Sequence, residues 1–223
     1  MRGRTAVWRC RAGVVVLSLA AAAAAFAQAP SAPRESPPSF SQVRSSSEAR
    51  RMVDWVLRHG DHGGRPFAVV DKRLARIYVF DGQGRLTGET AALLGQTWGD
   101  HTVPGVGERA QTGSVRPDER TTPAGRFDSM PGRNLKGEAV IWVDHASAFA
   151  IHRLRPDAAQ RARQIRLATA SPDDNRASLG CVIVSVRFYE DIIEPTLGRS
   201  RSVVYVLPET GPLRLPLRDE SAV

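Results

Sequence analysis

Met52, Val53, Trp55 and Val56 recur at helical spacing between Glu48 and His59, with Ser47 ahead of the run and Gly60 behind it. This pattern predicts one amphipathic helix that ends in the loop 60–64. Beyond Pro66 the period changes. Phe67 to Asp71 and Ala75 to Phe80 are short runs rich in β-branched and aromatic residues, and Asp81-Gly82-Gln83-Gly84 supplies turn chemistry before the next strand. Consecutive antiparallel hairpins are expected there. Further strands are predicted at Gly125 to Phe127, Ala139 to Val143, Ala148 to His152 and Ser202 to Leu207. Short helices are predicted within Pro156 to Ala170 and Ser185 to Leu197, the second ending near Pro195. Gly95 to Arg120 is Gly-rich and polar, which reads as an extended surface excursion of the kind that borders sites. The fold class is therefore mainly β with short helices, an α+β domain.

Both ends depart from this pattern. Arg2, Arg4, Arg9 and Arg11 precede an uncharged stretch from Ala12 to Phe26, and Ala25-Phe26-Ala27 fits the small-x-small cleavage rule. Residues 1–27 thus read as an export signal, removed after Ala27. At about 15 residues the apolar stretch is short for a membrane span, which needs roughly 20, so no stable membrane insertion is expected after cleavage. Residues 28–47 are rich in Pro, Ser and Ala and read as a flexible linker. The helix and loop then occupy 48–64, one globular domain 65–208, and a tail 209–223. A chain of 223 residues leaves room for only one such domain beside its appendages.

Removal of the leader changes the charge and the cysteine count. The formal charge of +8 falls to +4, because four of the 31 basic residues leave while all 23 acidic ones stay. Nucleic acid loses most of its support as a partner, and a mildly cationic protein near anionic envelope polymers fits better. Cys10 leaves as well, so Cys181 is alone in an oxidising compartment, where cysteines are usually paired or absent. A lone exported thiol is either a nucleophile or a buried inert residue. Cys181 follows Ser178-Leu179-Gly180, where a polar loop led by Asn175 runs into the apolar Val182-Ile183-Val184. A small residue before the cysteine leaves space for substrate and for backbone N–H groups to face an oxyanion.

The base must come from elsewhere. His59 and His62 lie by the first helix, His101 in the excursion and His145 near a turn, whereas His152 ends a predicted strand that can run beside Cys181. Cys181 and His152 are the candidate nucleophile and base. The pairs Asp61-His62, Asp100-His101 and Asp144-His145 lack the compact spacing of a metal site, so none is expected. Trp98 either flanks the site or packs against the domain.

Three blocks occur in a telling order: Thr121-Thr122-Pro123-Ala124-Gly125-Arg126-Phe127, the strand ending in His152, and Ser178-Leu179-Gly180-Cys181. With the opening from Val69-Val70-Asp71 to Phe80-Asp81, they resemble the L,D-transpeptidase (YkuD-type) catalytic domain over roughly 67–207. The resemblance implies a mixed β-sandwich preceded by the N-terminal helix. It implies a periplasmic enzyme that cuts after the third residue of a peptidoglycan stem tetrapeptide and passes the acyl group to an amine, on a second stem peptide or a protein lysine. Cys181 would be the nucleophile, His152 its base and later acid, and Gly180 with Cys181 the backbone of the oxyanion site. Ser178 would shape the loop, Thr122-Pro123 would only build the domain, and no cofactor would be needed.

Some positions depart from the family pattern. Leu179 stands where the family commonly has His, Ile183 where it has Arg or Asn, and Arg153 where Gly often follows the histidine. The stretch between His152 and Ser178 is also longer, which implies a helix-bearing insertion over the cleft. Arg153, Arg155, Arg161, Arg163, Arg166 and Arg176 are its candidates to hold a substrate carboxylate. Two other readings remain open on sequence: hydrolysis of the same peptides, and a non-catalytic wall-binding module.

Overall fold

The computed structural model, which describes residues 39–217, contains ten strands, two of which, at Leu94–Gly95 and Arg176–Ser178, lie outside the runs predicted to be strands. They are β1 (Phe67–Asp71), β2 (Arg76–Phe80), β3 (Leu86–Ala91), β4 (Leu94–Gly95), β5 (Gly125–Arg133), β6 (Ala139–Asp144), β7 (Phe149–Arg153), β8 (Arg176–Ser178), β9 (Val182–Val184) and β10 (Ser202–Val206). Eight of them form one sheet in the order β3-β2-β1-β10-β5-β6-β7-β9, while β4 and β8 make a small parallel pair. Only β1–β10 and β7–β9 run parallel within the large sheet. The two ends of that sheet also meet. Leu93, just past β3, and Ile183 of β9 exchange backbone hydrogen bonds of 2.8 and 2.9 Å. The sheet therefore curls until it is nearly closed, which leaves little free edge for pairing with another chain. The fold is α+β, as expected.

The strands at the middle of this sheet are buried on both faces. Ala68, Val70, Val204 and Val206 point inward to Ile77, Val79, Phe127, Ile141, Ile151, Val182 and Val184. Their alternate neighbours Phe67, Val69, Val203 and Tyr205 face outward onto a helix. A strand covered by two layers needs an apolar residue at every position, which is why Phe67-Ala68-Val69-Val70 shows no polar alternation. The inner layer is completed by a continuous helical stretch of α4 (Val186–Phe188), a π turn (Tyr189–Ile193) and α5 (Glu194–Leu197), through Tyr189, Ile193 and Leu197.

The outer layer is α1 (Ser47–His59), which buries Ala49, Met52, Val53 and Val56. Its N-cap is Ser46, one residue earlier than the pattern suggested, accepting the Ala49 N–H at 3.0 Å. Gly60 closes the helix at φ 63, a left-handed turn that glycine adopts without penalty. The predicted signal and most of the predicted linker lie outside the described residues, but residues 39–47 are not the free linker expected. Phe40 packs edge-on to Tyr78 and Phe80 at 5.1 and 5.4 Å, and Tyr78 Oη donates to the Arg44 carbonyl at 2.7 Å. Two apolar residues, Phe40 and Val43, anchor that stretch against the helix cluster. Leu213 and Leu217 of the tail join the same cluster.

The Gly95–Arg120 excursion is also more ordered than its composition implied. It carries α2 (Val106–Thr112), bracketed by Gly105 and Gly113 at φ 75 and 73. Gly107 lies so close to the Ala146 carbonyl that a Cβ there would stand 2.1 Å from the oxygen. The helix predicted between Pro156 and Ala170 is α3 (Gln160–Ala168), and none of its residues is buried.

Candidate active site

Register brings the predicted pair together. β7 and β9 run parallel with Ile151 opposite Val182 and His152 opposite Ile183. Ile151, Val182 and Val184 face the core, so the period of two turns His152 and Cys181 to the other face. They are diagonal neighbours, two residues of rise and one strand apart, about 8 Å between Cα atoms. Both line a cavity of about 410 Å³. Its walls come from α2 through Val106 and Ala110, from the β5–β6 turn at Asn134 to Lys136, from Trp142, and from Arg155, Asp157 and Arg163 ahead of and within α3.

The loop leading into Cys181 is held at the Gly180 and Cys181 carbonyls. Gly180 sits at φ 137, and a Cβ on it would lie 2.8 Å from the Thr121 carbonyl oxygen, so only glycine fits. Ser178 Oγ donates to the Cys181 carbonyl at 2.6 Å and accepts the Gly180 N–H at 3.0 Å. Ser178 Oγ thus bridges the Gly180 N–H and the Cys181 carbonyl within the loop. The same bond occupies the Gly180 N–H that was expected to face an oxyanion, because a hydroxyl two residues back reaches it first. Thr122 Oγ1 donates to the Gly180 carbonyl at 2.8 Å and accepts the Gly95 N–H at 2.8 Å. Sequence reasoning gave Thr122 only a building role, and its one signal was a hydroxyl directly before a strand-opening proline.

His152 Nδ1 lies 2.8 Å from the Arg153 carbonyl oxygen. A carbonyl only accepts, so Nδ1 carries the proton and Nε2 keeps its lone pair. Burial, reinforced by the Arg155 guanidinium, pushes the imidazole pKa down to about 4. Burial pushes the Cys181 thiol up, against the pull of the Ala150 N–H and Arg155. The S–H donates to the Ala148 carbonyl at 3.5 Å. At neutral pH the pair therefore rests as thiol and neutral imidazole, not as an ion pair.

This burial has a consequence for stability. The unfolded chain takes up the His152 proton near pH 6.5 and the folded chain only near 4, so stability is full above 6.5 and falls as pH drops towards 4. The loss amounts to about 3 kcal/mol. Urea unfolding at pH 4.5 and 7.5 should show a smaller pH difference in His152→Gln than in the wild type. Equal differences would place the proton elsewhere.

The candidate arginines separate. Arg155 and Arg163 line the cavity, with Arg155 Nε 3.0 Å from Glu138 Oε2 and Arg163 Nη1 2.7 Å from Asp157 Oδ2. Arg153, Arg176 and Trp98 do not line it. Alternation along β7 sends Arg153 to the face opposite His152, where it pairs with Glu190 at 3.1 Å. Arg176 is ion-paired with Glu209 and lies 4.0 Å from the ring centre of Trp98. Arg166 donates to the Asp174 carbonyl at 3.1 Å. Leu179 and Ile183, where polar residues were expected from the family pattern, give the cavity apolar wall.

The carboxylates of the three Asp-His pairs serve the fold: Asp61 binds Arg126 and Tyr205, Asp100 binds Lys72, and Asp144 caps its own turn. Among the described residues no group of three His, Cys, Asp or Glu side chains is placed to hold a metal ion. No model of a known protein family matches this chain, and no curated protein matches its sequence.

Proposed function

We propose that the chain is an exported cysteine acyltransferase of the L,D-transpeptidase kind, acting on peptidoglycan stem peptides in the periplasm. One observation carries this reading: Cys181 and His152 open on the same cavity from adjacent parallel strands, and the Arg153 carbonyl leaves the imidazole lone pair at Nε2 available. The curled sheet is compatible with the mixed sandwich of that family. In the proposed cycle the sulfur attacks the acyl carbonyl as its proton passes to Nε2, and His152 returns that proton to the departing amine. An amine acceptor then attacks the thioester, yields its proton to His152, and the thiol is regenerated. The Cys181 N–H is the loop amide proposed to face the oxyanion, and Arg155 the cation for a substrate carboxylate. No step needs a cofactor.

The non-catalytic reading has its own support, since burial moves both the thiol and the imidazole away from a reactive ion pair. Tetrapeptide-rich sacculi incubated with the mature protein and with Cys181→Ala, followed by muropeptide mass spectrometry, separate the possibilities. Cross-linked or amine-exchanged stems that require Cys181 are expected. Shortened stems alone would assign hydrolysis, and no Cys181-dependent product would favour a binding module.

A further inference from the structure

A second polar assembly lies behind the cavity wall. Lys72 is fully buried, and its ammonium donates to the Gly99 carbonyl at 2.6 Å, to Asp100 Oδ1 at 2.7 Å and to the Thr122 carbonyl at 2.7 Å. Those three bonds use all three of its protons. Glu209 Oε1 stands 3.6 Å away, accepts the Gly99 N–H at 3.0 Å, and shares its carboxylate with Arg176. Arg176 also donates to the Lys72 carbonyl at 3.0 Å. Asp100 in turn receives the Glu209 and Thr210 N–H groups at 2.8 and 2.9 Å. Two cations and two carboxylates thus tie the β1–β2 turn, the excursion, β8 and the tail into one unit.

Two arms leave this unit, and both end at the nucleophile loop. Thr122 has its carbonyl fixed by Lys72 while its hydroxyl holds the Gly180 carbonyl. Arg176 opens β8, whose last residue, Ser178, holds the Cys181 carbonyl. We propose that the Lys72–Asp100–Glu209–Arg176 cluster positions Cys181, with Thr122 as the joint that transmits its hold to Gly180. A buried ion cluster adds little net stability over well-packed apolar residues, whereas it can define one geometry for the carbonyls to which it is bonded. Lys72 and Thr122 are positioning residues.

The test uses Thr122→Val, which keeps the side-chain shape and removes the hydroxyl, with Thr122→Ser as rescue. Iodoacetamide alkylation of Cys181, the single thiol of the mature chain, reads the loop directly. Release of a buried sulfur should raise the alkylation rate about tenfold in Thr122→Val, the equivalent of one hydrogen bond, and Thr122→Ser should return it to the wild-type rate. In the muropeptide reaction, kcat should fall by about the same factor with KM unchanged; this arm rests on the acyl-transfer reading, while alkylation does not. Glu209→Gln, which keeps shape and loses charge, should change alkylation in the same direction and decides the matter should Thr122→Val not fold. Wild-type alkylation rates in a folded Thr122→Val, or in Glu209→Gln in its stead, would overturn the proposal. Altered alkylation in an enzyme without turnover would uphold the positioning and refute the function.

Discussion

On the proposed acyl-transfer reading, Cys181→Ser should lower activity by at least about 10³-fold while the protein remains folded. The resting site holds a neutral imidazole with pKa about 4 beside a thiol raised by burial. Such a weak base can take a proton from sulfur only as the carbonyl is attacked. A serine hydroxyl is far less acidic than a thiol and asks the same base to do more. The backbone that orients the side chain is unaffected, because Ser178, Thr122 and the Gly180 conformation hold the loop through main-chain atoms. Cys181 itself stands at the cavity, outside the apolar clusters that build the sheet, so little stability depends on it. Initial rates of amine exchange into tetrapeptide stems, read by mass spectrometry, check the effect. A serine variant within tenfold of the wild type would remove Cys181 as the nucleophile.

The parts of the fold readable in advance were those set by local period. β1, β2 and β7, α1 and the Gly60 stop follow from alternation, helical spacing and a left-handed cap, each a property of a few consecutive residues. The Cys181/His152 pairing was also legible, since both residues end or precede short apolar runs that parallel pairing then places side by side. What escaped depends on contacts far apart in sequence. The ion pair of Lys72 with Asp100 spans 28 residues and that of Arg176 with Glu209 spans 33. Nothing near Arg176 marks it as a partner of Glu209 and not of substrate. Thr122 illustrates the same limit, for its bond to Gly180 crosses 58 residues. The helix α2 was hidden differently: its bracketing glycines suggested a loop, though Glu108, Arg109, Ala110 and Gln111 between them are good helix formers.

Lys72→Met should destabilise the fold by about 3–5 kcal/mol, because it removes one partner from a buried ionic cluster and leaves the rest in place. Methionine fills much of the same volume, so the loss is electrostatic more than steric. The Thr122 and Gly99 carbonyls forfeit their donor, and Asp100 keeps its backbone amides but loses its cation. For a domain of this size the drop corresponds to roughly 10 °C in Tm. Its pH dependence should change as well. Hydrogen bonds from Lys72 and Thr210, opposing the effect of burial, hold the Asp100 carboxyl well below its usual range. A carboxylate with a depressed pKa contributes stability above its unfolded value near 3.8 and loses it as pH falls. Without Lys72 that depression shrinks, so less of the acid-sensitive stability is present to be lost, and the fall, which still begins near 3.8, is complete at a higher pH. Adding Asp100→Asn removes the uncompensated charge and should recover part of the deficit, giving non-additive losses in a double-mutant cycle. Thermal unfolding of the two single variants and the double variant measures all three quantities. Strictly additive losses would mean that Lys72 and Asp100 contribute independently, and the cluster would then lack the coupling that its geometry requires.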